Sequence, residues 1–93
     1  MITFVEQEHG DVTQLAIQGP LTVEVEKQMN AKSEELVALG KTRVVLDLAG
    51  IKYIDSSGIG TIISLFKRVR LVNGDVKIAN LKIEKTALFH ADR

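Results

Sequence analysis

Residues 43–65 read RVVLDLAGIKYIDSSGIGTIISL, and this stretch decides the fold class of the chain. Residues 43–49 form an almost continuous apolar run rich in β-branched side chains, which is typical of a central strand covered on both faces. Apolar residues recur with helical spacing over residues 59–71 and predict an amphipathic helix, with residues 50–54 as the connection. The polar sequence Asp-Ser-Ser-Gly at positions 55–58 is therefore expected where a strand segment gives way to a helix.

Upstream of this stretch, the sequence predicts an antiparallel β-hairpin. Apolar and polar residues alternate over residues 2–8 and again over residues 12–17, and a His-Gly-Asp turn lies at residues 9–11. Gly19 and Pro20 are expected to end the second strand, because neither residue favours a strand interior.

Two further elements complete the pattern. A helix is predicted over residues 23–39, with Thr22 as its N-cap and Gly40 as its stop. An Asn-Gly-Asp sequence at residues 73–75 is expected to end the second helix, and residues 76–79 predict another strand.

The resulting order, β-β-α-β-α-β-α, predicts an α/β fold in which helices pack against a mixed sheet of about four strands. The last helix is expected from residue 82 and is short, and one domain is expected to span residues 1–93.

Composition excludes several functional classes. The twelve basic and twelve acidic residues cancel, so charge gives no reason to expect direct binding of nucleic acid or of an anionic membrane. The absence of cysteine excludes disulfides, zinc–thiolate sites and thiol catalysis. Met1 is followed by strand-like residues rather than a leader, and no apolar run approaches the length of a membrane span. We expect a cytoplasmic protein without a metal or another cofactor.

The Asp-Ser-Ser-Gly sequence is the candidate functional site. The first turn of a helix has unpaired N–H groups and the positive end of the helix dipole, so a serine there is either an N-cap or a place to install negative charge. Asp55 is the expected N-cap. Serine catalysis is not expected, because the only histidines, His9 and His90, fall in a predicted turn and near the C-terminus. The nucleophile-elbow pattern is also absent, since Asp55 stands where that motif has glycine.

Residues 43–65, together with Gly-Pro-Leu at 19–21 and VKIANL at 76–81, resemble the core signature of STAS domains, and specifically of bacterial anti-sigma factor antagonists. The resemblance implies a binding module rather than an enzyme. It implies that Ser57 is the phosphoacceptor, and that the unphosphorylated form binds an anti-sigma factor that is also a serine kinase. A serine phosphatase is a second expected partner. The partner-binding residues are then expected to be Asp55, Ser56, Ser57, Gly58, Ile59, Thr61 and Thr22.

One alternative function stays open at this stage. The same fold serves as a scaffold subunit of stress-sensing or transport assemblies, in which Ser57 has only a structural role. The family commonly has Gly-Glu-Leu-Asp where this chain has Gly-Pro-Leu-Thr at residues 19–22, so an acidic residue of the partner surface is lost. The short C-terminal end, with apolar residues between 83 and 89, predicts a weak homodimer that also involves the first helix.

Overall fold

The computed structural model describes residues 2–80, which form a five-stranded sheet, one 3-10 turn and two α-helices. The elements are β1 (Thr3–His9), β2 (Val12–Leu21), the 3-10 turn (Val23–Val25), α1 (Glu26–Ala38), β3 (Arg43–Asp47), β4 (Ile51–Ile54), α2 (Ser56–Leu71) and β5 (Asp75–Ala79). The predicted last helix and the C-terminal part of the predicted dimer contact lie outside the described residues.

The long strand β2 organises the sheet. It pairs antiparallel with β1, as the hairpin prediction required, and parallel with β3, which in turn pairs parallel with β5. The sheet order is β1-β2-β3-β5, and β4 pairs parallel with the end of β2. The predicted α/β fold with a mixed sheet is therefore confirmed.

The strand β4 was expected to be only a connection, and this expectation was wrong. It has four residues and pairs with β2 through Gly19, Pro20 and Leu21. These residues belong to a continuing β2, so the prediction that Gly19 and Pro20 end the strand was also wrong. The register shifts between Gly19 and Pro20, and such an irregularity is where a strand can accept a proline.

The hydrophobic core lies between one face of the sheet and the two helices. Burial alternates along β2 and β3 with the period of a strand, so every second side chain enters the core. The helices pack against each other as well as against the sheet. The core comprises Ile2, Leu15, Ile17, Leu21, Val25, Met29, Leu36, Val44, Leu46, Leu48, Ile51, Ile54, Ile62, Leu65, Val69 and Val76. Within residues 2–80, neither helix has the length and apolar content needed to cross a membrane.

Candidate functional site

Asp55 forms the junction between β4 and α2. Its backbone is extended, and its Oδ1 atom accepts a hydrogen bond of 2.8 Å from the N–H of Gly58. This arrangement is an N-cap, so the predicted capping role of Asp55 is confirmed. The helix begins at Ser56 rather than at Ile59, because the cap and not the first apolar residue fixes its start.

The same carboxylate also reaches the start of the preceding helical segment. Its Oδ2 atom accepts a longer hydrogen bond of 3.4 Å from the N–H of Val23, the first residue of the 3-10 turn. Thr22, the expected cap, occupies the N-cap position but makes no side-chain capping bond. The N–H of Asp55 in turn donates to the carbonyl of Leu21 at 3.2 Å. Asp55 therefore joins the end of β2 and the starts of both helical segments.

Gly58 and Thr61, both predicted to contact a partner, are buried and pack inside the domain. A Cβ atom at Gly58 would overlap the carbonyl oxygen of Leu21 and would lie 2.9 Å from Cγ1 of Ile54. The Thr61 hydroxyl donates to the carbonyl of Gly58 at 2.7 Å, and only 3% of Thr61 is exposed. Gly58 therefore allows β2 to approach α2 closely, and Thr61 supports the first turn from inside.

The two serines lie in the first turn of α2, where the structure leaves Ser56 exposed and Ser57 half-buried. Among residues 2–80, no hydrogen bond engages the hydroxyl of Ser57. Neither serine is the N-cap of α2, so the interpretation of these serines as helix caps is wrong. Ile59 and Thr22, the remaining predicted contacts, are half-buried, and Ile59 packs against the core.

Two exposed apolar residues next to Asp55 were not predicted. Val23, whose N–H bonds to Asp55, is 56% exposed, and Tyr53, two residues before Asp55, is 46% exposed. The exposure of Tyr53 was not predicted because residues 50–54 were expected to form a connection. The exposure of Val23 was not predicted because the first helix was expected to start there. The sequence IKYI carried no alternation signal for Tyr53, because Ile51 and Ile54 are both buried and the two residues between them are both exposed.

Asp47, the last residue of β3, has a structural role. Its Oδ1 atom accepts hydrogen bonds from the N–H of Ala49 at 3.0 Å and from Nδ2 of Asn80 at 2.9 Å. These bonds tie the turn after β3 to the end of β5. Within residues 2–80, no group of three or more histidine, aspartate and glutamate side chains is arranged to hold a metal ion.

Comparison with known proteins places this arrangement in a family. Residues 3–91 match the family model of the STAS domain. The chain belongs to the STAS domain family. Its predicted resemblance to that family is thereby confirmed, and the Asp-Ser-Ser-Gly junction described above is the junction of a STAS domain.

The relatives of this STAS domain include proteins of sigma-factor regulation. BtrV of Bordetella bronchiseptica, assigned as an anti-sigma factor antagonist, is 33% identical over 66 residues, and the match covers 71% of this chain and 57% of BtrV. An assigned anti-sigma factor antagonist of Thermotoga maritima has a TM-score of 0.77 at 23% identity, covering 96% of this chain and 78% of the other.

SpoIIAA, an anti-sigma factor antagonist, has a TM-score of 0.72 at 19% identity in its unphosphorylated form, covering 88% of this chain and 76% of SpoIIAA. The phosphorylated form of SpoIIAA from Bacillus has the same TM-score. At these low identities, the comparisons with the three solved structures show the fold.

Proposed function

We propose that this STAS domain is an anti-sigma factor antagonist that binds its partner through the start of α2 while Ser57 is unphosphorylated. The observation that carries the proposal is the first turn of α2, where Asp55 fixes the backbone and leaves the Ser57 hydroxyl without a hydrogen bond among residues 2–80. The assignments of BtrV and of the Thermotoga protein as antagonists support the proposed class of partner. The proposed role is binding, without catalysis by the domain itself.

Phosphorylation of Ser57 fits a switch that changes binding and preserves the fold. A phosphate adds about −1.5 to −2 charges next to the Asp55 carboxylate, and a partner that covers this surface has to desolvate all of them. The positive end of the helix dipole offsets only about 0.3–2 kcal/mol of this cost. The domain should therefore remain folded when modified, whereas a close interface should open.

The proposed phosphoacceptor is tested by kinase treatment and mass spectrometry. The probe is the anti-sigma factor with a serine kinase domain encoded in the same genome, supplied with ATP and Mg²⁺. We expect one phosphate on Ser57, loss of labelling in Ser57→Ala and retained labelling in Ser56→Ala. A phosphate confined to Ser56, or no phosphate from a kinase that binds the domain, would contradict the assignment.

Binding is tested with the Ser57→Asp variant. Acidic residues are tolerated near a helix N-terminus, so the free energy of unfolding should stay within about 1 kcal/mol of the parent. Affinity for the anti-sigma factor should fall at least about tenfold, which corresponds to about 1.4 kcal/mol. Calorimetry with the parent and with Ser57→Asp measures the two affinities. In a separate experiment, a serine phosphatase should restore the affinity of the phosphorylated domain. Equal affinities would favour a scaffold role in which Ser57 does not act as a switch.

A further inference from the structure

The outward side of α2 forms a continuous exposed stripe. Its members recur at steps of four and three residues, which places them on one side of a helix, and all are exposed: Ser56, Gly60, Ile63, Lys67 and Arg70. We call these five residues the outer stripe. Ile63 is 49% exposed. The stripe begins beside Ser57 and runs the length of the helix.

After Ser56, the first half of the outer stripe consists of the small Gly60 and the apolar Ile63. A Cβ atom at Gly60 would meet no other atom within 4 Å, so nothing inside the domain requires glycine there. A glycine that leaves open space, followed one turn later by the exposed Ile63, gives a shallow surface on which another helix can pack closely. Helix pairs of this kind bring their axes to about 8–10 Å, with small residues at the closest approach.

The second half of the outer stripe is cationic. Arg68, on the flank of the helix, forms an ion pair with Glu34 of α1 at 3.2 Å. Within residues 2–80, Lys67 and Arg70 form no ion pair with any carboxylate. Two cations one turn apart therefore remain available for an external acidic group.

We propose that the outer stripe is a docking surface for an acidic amphipathic helix of the partner. An apolar side of that helix packs on Gly60 and Ile63, and its carboxylates pair with Lys67 and Arg70. The stripe spans about 21 Å from Ser56 to Arg70 at about 1.5 Å per residue, so it accommodates a helix of about four turns. The inference rests on the proposed function in one respect, because the partner helix also passes over the start of α2.

The two ends of the docking surface act independently. Lys67 lies ten residues beyond Ser57, or about 15 Å along the helix, which exceeds the Debye length of about 8 Å at physiological ionic strength. A phosphate on Ser57 therefore leaves the attraction at Lys67 and Arg70 largely unchanged. Effects of substitutions at the two ends should multiply as affinities, since the sites share no contact.

The proposal is tested with a pair of helical peptides and the full chain labelled for NMR. One peptide of about 18 residues carries alanine and leucine on one side and glutamates in its last turns, and its twin carries glutamines there. We expect the acidic peptide to shift the amide signals of the outer stripe and to bind at least about fivefold more tightly than the twin. Equal binding of the two peptides, or shifts confined to the sheet, would overturn the proposal.

Charge reversal locates the acidic contact. Lys67→Glu and Arg70→Glu should each weaken the acidic peptide at least about threefold. The matched control is Lys77→Glu, which makes the same charge change in β5 and should leave binding unchanged. Circular dichroism confirms that all three variants fold. A loss in Lys77→Glu as large as in Lys67→Glu would show an effect of net charge alone and would overturn the proposal.

The same variants separate this inference from the proposed switch. If Lys67→Glu weakens binding of the acidic peptide and Ser57→Asp leaves binding of the anti-sigma factor unchanged, the docking surface stands and the switch is wrong. If Ser57→Asp weakens binding of the anti-sigma factor while Lys67→Glu changes neither interaction, the docking surface is wrong and the switch stands. A change in the mass of the peptide-free chain in Lys67→Glu, measured by light scattering, would show that a second copy occupies the stripe instead.

Discussion

Two carboxylates, Asp55 and Glu6, each join separate parts of the molecule, but they use different donors. Asp55 accepts from the backbone N–H groups of Gly58 and Val23, which are neutral. Glu6, in β1, accepts from the ammonium groups of Lys32 in α1, at 3.1 Å, and of Lys41 in the loop before β3. The first junction depends on backbone position and the second on side-chain charge.

Because of this difference, the two junctions should respond differently to pH and to salt. Hydrogen bonds to Lys41 and then to Lys32 lower the pKa of Glu6 from 4.5 to about 2, so this junction should depend on pH. Its charges are also partly exposed and should be screened by salt. The Asp55 junction holds the first turn of α2 through backbone N–H groups. Its strength should therefore depend on backbone geometry rather than on ionic strength. The candidate site is thus built on the junction whose donors carry no charge.

The largest expected effect comes from Gly58→Ala, which breaks the Asp55 junction from within. The added methyl group overlaps the carbonyl of Leu21, to which Asp55 also bonds, so β2 and α2 have to separate. We expect the free energy of unfolding to fall by about 3 kcal/mol. Urea denaturation measures the change, and a loss below about 1 kcal/mol would show that the end of β2 yields easily.

A smaller loss is expected when the cap itself is removed. Asp55→Ala should destabilise the domain by about 1–2 kcal/mol, because the N–H groups of Gly58 and Val23 lose their acceptor. Asp55→Asn is the matched control, since asparagine caps helices nearly as well as aspartate. Equal losses in both variants would mean that the charge of Asp55 matters more than its hydrogen bonds, contrary to the comparison with Glu6.

The Glu6 junction should contribute only about 1 kcal/mol to the free energy of unfolding, because both lysines remain in contact with solvent. The folded-state pKa is depressed, so this contribution is present above pH 4.5 and is lost as the pH falls through about 2. Denaturation of the parent and of Glu6→Gln between these pH values measures it. The stability gap should narrow toward low pH and in about 0.5 M NaCl. If the difference in free energy of unfolding between the parent and Glu6→Gln stays constant with pH, the charge of Glu6 does not have the role assigned to it.

The smallest effect, and the only stabilising one, is expected for Gly60→Ala. The new methyl group enters open space, and alanine favours a helix over glycine by about 0.5–1 kcal/mol. The variant should therefore raise the melting temperature, leave both junctions intact and weaken binding of the acidic peptide to the outer stripe. A lower melting temperature would show that Gly60, like Gly58, serves the interior.

The sequence predicted the elements whose apolar pattern is long and regular. The hairpin, α2 and β5 followed from alternation or helical spacing, and Asp-Ser-Ser-Gly was placed correctly at a helix start. The strand β4 was missed because four residues carry too little periodicity, and its pairing depends on β2 continuing through Pro20. Such pairing is a tertiary property that no local pattern contains.

Within the site, the sequence could not distinguish residues of the same type by their surroundings. Gly58 and Gly60 are two positions apart, yet one lies against the Leu21 carbonyl and the other faces open space. Ile62 and Ile63 are adjacent, but only Ile62 is buried. The orientation of α2 about its axis decides both cases, and that orientation is fixed by the approach of β2 at Gly58.

The register shift at Pro20 bears on aggregation. In this part of β2, the N–H of Gly19 donates to the carbonyl of Gly50, and the carbonyl of Leu21 accepts from the N–H of Asp55. Among residues 2–80, β1 pairs with β2 no further than Gln18, so Pro20 lies beyond the end of that pairing. Proline has no N–H, so Pro20 offers no donor with which to recruit a strand from another molecule. Pro20→Ala should restore that donor and increase turbidity when concentrated protein is heated.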